Sequence, residues 1–99
     1  MNFQQLRSIR EAARRGYNLT EVANVLFTSQ PGVSKQLALL EAELGVSVFT
    51  RNRNRVSALT PAGRALLAVA QRMLDDAETL KRLAQDFGSE NSGSLTVLT

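Results

Sequence analysis

The sequence predicts a mainly α-helical chain that carries one small β-hairpin and ends in a long helix. Three observations predict it. Apolar residues recur at spacings of three and four across residues 2–15, 20–26 and 30–44, which gives each segment one buried stripe at about 3.6 residues per turn. Residues 46–60, VSVFTRNRNRVSALT, instead set Val46, Val48 and Val56 among polar neighbours on either side of an Arg-Asn run, as two short strands joined by a turn do. Beyond Pro61 the apolar spacing becomes a regular alternation of four and three.

Helix one is expected over 2–15, with Phe3, Leu6, Ile9 and Ala13 on its stripe and Arg14, Arg15 and Gly16 ending it. Cations favour the negative end of the helix dipole, and glycine tolerates the left-handed step that follows. After a turn at Tyr17-Asn18-Leu19, helix two is expected to be capped by Thr20 and to bury Val22, Ala23 and Leu26. Phe27-Thr28-Ser29 is short enough to be only a connection. Helix three then begins after Ser29, a good N-cap, with Pro31 in the first turn where its missing N–H costs nothing. It ends at Leu44 before Gly45, and Val33, Leu37, Leu40 and Leu44 form its buried stripe.

The opposite face of helix three carries Pro31, Ser34, Lys35, Ala38 and Ala42. A solvated face normally carries long polar side chains, whereas these are short apart from one cation. Short side chains let a helix lie deep in a groove about 12 Å wide, the width of the DNA major groove. The hairpin that follows has Arg51, Arg53 and Arg55 among asparagines at its tip, a chemistry suited to phosphate oxygens or a minor groove.

The long helix is expected from Thr60-Pro61, a cap followed by an N1 proline, to Phe87. Leu66, Ala70, Met73, Ala77, Leu80, Ala84 and Phe87 form a heptad seam. So long an arm cannot bury its whole stripe against a core of some sixty residues, so a homodimer through this helix is expected. GSENSGS from Gly88 reads as a hinge, and SLTVLT as the first strand of a further domain absent from this chain. The expected division is therefore 1–60, a winged helix-turn-helix; 61–87, a linker and dimerisation helix; and 88–99, hinge and strand.

Composition narrows the functions. With no Cys and no His, disulfides, thiolate or imidazole metal sites and the commonest general base are excluded. Asp75-Asp76 reads as a solvated helix face, there is no phosphate-cradling glycine loop, and an enzyme is not expected. No apolar run reaches the roughly 18 residues of a membrane span, and MNFQQLRSIR is not a secretion signal, so the expectation is cytoplasmic residence. The net charge is +3, and the first sixty residues hold eight basic and four acidic side chains. Positive charge concentrated there favours a polyanionic partner.

The layout of three helices, basic hairpin and long helix is that of a winged helix-turn-helix with a dimerisation arm. Residues 4–63 further resemble the N-terminal domain of LysR-type transcriptional regulators, through TSQPGVSKQLALLEAELGVSVFTR and the later LTPAG. Within that family, QQLRSI, FTSQPGVSKQ and GSLTVLT look most like the CysB branch. The resemblance implies a regulator of sulfur and cysteine assimilation genes, tetrameric at full length. It also implies no cofactor in this chain, and an acetylserine-like or sulfur-related effector held only by the absent C-terminal domain. It implies base contacts from Gln30 and Pro31, which suit adenine and a thymine methyl, and phosphate contacts from Thr28, Ser29 and Ser34. Lys35 stands where most relatives have arginine, so a point-charge contact replaces a bidentate one. Arg51 fits the family's Phe-x-Arg position, while Arg53 and Arg55 are alternatives for the minor groove. The competing expectation, a helical protein-interaction module without DNA, accounts for residues 61–87 but not for the short-residue face of helix three.

Overall fold

The computed structural model describes residues 1–90. Helix α1, Phe3–Arg14, opens on a capping box: the Asn2 side chain accepts from the Gln5 backbone N–H at 2.8 Å, and the Gln5 side chain accepts from the Asn2 N–H at 3.2 Å. Leu6 and Ile9 are buried as expected, but Ala12 is the buried alanine and Phe3 stays exposed. α1 touches all three other helices, so its buried face is wider than one stripe and also takes in Gln5, Ser8 and Glu11. The Glu11 carboxylate is matched by Arg14 at 3.2 Å and Arg15 at 3.0 Å, and Arg15 reaches on to Glu21 at 3.0 Å. That bridge ties α1 to helix α2, Leu19–Val25.

α2 is capped by Asn18, whose side chain accepts from the Glu21 N–H at 3.1 Å, and not by Thr20. The left-handed steps at Gly16 and Tyr17 reverse the chain early, which leaves Asn18 extended and Thr20 already inside the first turn. Helix α3, Gln30–Leu44, follows the reading closely. Ser29 accepts from the Gly32 N–H at 3.1 Å, Pro31 sits in the first turn, and Gly45 ends the helix at φ 73°. Val33, Leu37 and Leu40 are buried, while Leu44, the last of the stripe, is 37% exposed.

Strands β1, Phe49–Asn52, and β2, Arg55–Leu59, pair antiparallel with Phe49 opposite Leu59 and Asn52 opposite Arg55. The strand therefore begins later than Val46 and Val48 suggest. Val46 is exposed, and Val48 is a core residue whose backbone N–H is bonded to Glu41 and not to a strand. The tip is only Arg53-Asn54, both at positive φ, as a two-residue type I′ turn requires. Arg51 and Arg55 lie in the strands below it.

Helix α4 spans Pro61–Glu90. It runs past the stop expected at Phe87, since one glycine costs a helix only about 1 kcal/mol. The hinge expected from Gly88 is thus helical as far as Glu90; its remainder and the expected strand lie outside the described residues. Ile9, Val22, Val33, Leu37, Leu40, Val48 and Phe49 form the centre of the core, with Leu66 packed against it. A second cluster joins Leu6 to Ala70 and Leu74. Leu66 and Ala70 of the heptad seam therefore meet their own domain. Ala77 is half-buried, and Met73, Leu80, Ala84 and Phe87 are exposed. No helix among the described residues is long and apolar enough to cross a membrane.

Candidate nucleic-acid interface

The α3 face, the first turn of α2 and the hairpin enclose an open concavity of about 730 Å³. Gln30, Ser34 and Ala38 line it from α3, Tyr17 to Thr20 from the start of α2, and Arg51, Asn54 and Arg55 from the hairpin. Of the residues singled out from sequence, Gln30, Ser34, Arg51 and Arg55 thus converge on one hollow. Thr28, Ser29 and Pro31 are exposed at the head of α3, Lys35 is exposed further along it, and Arg53 is at the hairpin tip. The Gln30 side-chain amide donates to Ser34 Oγ at 3.0 Å, which holds the amide at the mouth of the helix. Lys35, Arg53 and Arg55 form no ion pair among the described residues. Three cations are therefore available to an external anion.

Arg51 is differently placed. Its guanidinium grips Glu41 of α3, Nη2 to Oε1 at 2.8 Å. Glu41 Oε2 also accepts the backbone N–H groups of Val48 at 2.8 Å and Phe49 at 3.1 Å. One carboxylate thus anchors the root of the hairpin to α3 and fixes the angle between them. Reasoning from sequence missed this residue, although a signal existed. Glu41 lies four residues after Leu37, at core spacing, and a charge there demands partners.

Burial by itself raises the Glu41 pKa, but the Arg51 hydrogen bond and the Phe49 and Val48 N–H groups outweigh it and hold the carboxyl below its ordinary value. A depressed folded-state pKa contributes stability that is complete above the unfolded-state value, 4.5, and is lost as pH falls through the lower folded-state value. Glu41→Gln is expected to cost about 1.5–3 kcal/mol near neutral pH. Urea unfolding over a pH series checks this: the gap between variant and wild type should narrow on acidification through that range.

The exposed basic face of this helix-turn-helix and hairpin defines the class. Residues 3–64 match the family of bacterial regulatory helix-turn-helix proteins, lysR family, and the chain belongs to it. Among curated relatives it is 57% identical over 99 residues to the transcriptional regulator SsuR of Burkholderia cenocepacia. It is 54% identical over 99 residues to the transcriptional regulator cbl of Escherichia coli. To the regulator CysB of Burkholderia cenocepacia it is 50% identical over 97 residues, 98% of this chain. The chain spans only 31–32% of the length of these three proteins. Among solved structures, the DNA-binding domain of CbnR in complex with DNA superposes with a TM-score of 0.79 at 35% identity, covering 89% of this chain and 99% of that one. The BenM domain bound to benA site 1 DNA gives 0.80 at 26% identity, covering 90% and 98%.

Proposed function

We propose that this chain is the operator-reading part of a LysR-type regulator of sulfur and cysteine assimilation genes, acting as a homodimer. The observation that carries the reading is the hollow itself. It joins a helix face of short side chains to arginines from the hairpin, and three nearby cations, Lys35, Arg53 and Arg55, form no ion pair among the described residues. In this reading α3 enters the major groove with Gln30 and Pro31 against base edges. Lys35, Thr28, Ser29 and Ser34 meet phosphates, and Arg53 and Arg55 reach the backbone or the adjacent minor groove. Arg51, committed to Glu41, sets the angle of the wing. Likeness to protein–DNA complexes supports DNA as the partner, and identity to regulators named cbl, SsuR and CysB supports the sulfur branch.

Two substitutions separate base reading from phosphate anchoring. Gln30→Ala is expected to cost about 1–3 kcal/mol on the preferred duplex and to relax discrimination at one base pair. Arg53→Ala combined with Arg55→Ala should weaken binding to all duplexes and lower the log–log salt slope by about 2. Mobility shifts across a salt series read both effects. A double variant that binds like wild type removes the wing from the interface.

A further inference from the structure

Among the described residues, four that are not glycine have φ in the left-handed region: Tyr17, Phe27, Arg53 and Asn54. Three are accounted for within the chain. Arg53 and Asn54 make the hairpin turn, and Tyr17 packs edge-on to Phe49 with ring centroids 6.2 Å apart. Phe27 is not accounted for. It occupies the residue after the C-cap of α2, where the Thr28 N–H bonds to Ala23 O at 2.9 Å and the Phe27 N–H to Asn24 O at 3.4 Å. That pair of bonds is the Schellman closure, whose left-handed position usually holds glycine or asparagine. A bulky side chain there strains the backbone by about 1–3 kcal/mol, and burial returns nothing, because Phe27 is 96% exposed.

The backbone that carries the ring is held in place. A methyl on Gly32 would lie 2.9 Å from Thr28 Oγ1, so Thr28 is packed on the first turn of α3. The backbone carrying Phe27 is therefore fixed relative to Gln30 and Pro31. Around it only Val25, 37% exposed, adds apolar surface nearby in the chain. One ring and half a valine fall far short of the roughly 800 Å² per partner of a protein interface, yet a single ring suits an apolar contact at a groove edge.

We propose that Phe27 is a DNA-contacting residue, its ring lying against apolar surface of the duplex, a thymine methyl or a deoxyribose edge, beside the bases met by Gln30. The proposal rests on the reading of this face as the DNA surface. Phe27→Asn tests it, because asparagine accepts the left-handed backbone and keeps the closure intact. The variant should melt at or above the wild-type temperature yet bind a duplex selected by the wild type about ten- to a hundredfold more weakly. Its salt slope should be unchanged, since no cation is lost. Phe27→Tyr, which keeps the ring, should bind within a few-fold of wild type. Thymines replaced singly by deoxyuridine identify the surface touched. A replacement that weakens wild type but not Phe27→Asn marks a methyl contact, and the absence of any such position marks a sugar contact. Unchanged affinity of Phe27→Asn, with wild type binding tightly, overturns the proposal alone and leaves the ring to a protein partner. Failure of the wild type to bind any duplex overturns this proposal and the DNA reading together.

Discussion

Gly63→Ala is expected to lower the melting temperature by roughly 10–25 °C, the largest stability loss anticipated from one methyl group in this chain. Gly63 is buried in the first turn of α4. A β-carbon there would overlap the Val48 carbonyl oxygen and come within 3.2 Å of Leu59 Cδ2. The obstructing oxygen belongs to the backbone, so no rotamer change relieves the clash and α4 must withdraw. Withdrawal breaks the joint that Thr60 makes: its N–H to Val48 O at 2.9 Å, its hydroxyl to Ser47 O at 2.6 Å, and the Gly63 N–H to Thr60 Oγ1 at 2.9 Å. Overpacking costs about 1–3 kcal/mol and occasionally more, a clash with unyielding backbone lies at the top of that range, and each kcal/mol moves a domain of this size by about 4–8 °C. Circular dichroism during heating measures it directly. A shift of a degree or two would mean that α4 is not seated on Val48.

The second large effect falls on association. Met73→Glu together with Leu80→Glu should leave a folded monomer, since both side chains are exposed, Leu80 to 69%. The seam beyond Ala70 is the part of α4 that its own domain does not bury. Leu80 and Phe87 are exposed there, seven residues apart as a seam against an adjacent helix requires. In the proposed homodimer, losing the association would make each half-site bind separately, and the operator affinity gained by linkage, about 10²–10⁴-fold, should disappear. Sedimentation gives the mass and mobility shifts give the affinity. A variant that stays dimeric would place the self-association surface elsewhere than on this seam.

The parts of this fold visible in the sequence are those set by local chemistry. Ser29, Pro31 and Gly45 bound α3 because capping and left-handed closure depend on nearest neighbours, and its buried stripe follows from periodicity. The hairpin's existence was legible for the same reason, but its start was not. Val48 has the strand's alternation, yet its N–H is taken by Glu41, seven residues earlier on α3, a tertiary choice that no local pattern encodes. Likewise Ala12 is buried among residues of α2 and α3, and Leu74 beside the seam against Leu6 of α1, both tertiary contacts. At the candidate interface, residue types pointed to Ser34, Lys35 and the arginines, and the family resemblance added Gln30. Only the folded structure separates Arg51, paired with Glu41, from Arg53 and Arg55. Phe27 looked like a mere connection because its backbone angle and exposure are invisible in the sequence.

The central claim, that the α3 face reads bases, is tested most directly by selecting bound sequences from a random duplex pool with wild type and with Gln30→Ala in parallel. Wild type should enrich a pair of related half-sites spaced by about one helical turn, 34–36 Å, or a multiple of it, and Gln30→Ala should lose preference at one position in each. An unenriched pool, or the same sequence at the same strength from both proteins, would contradict the account.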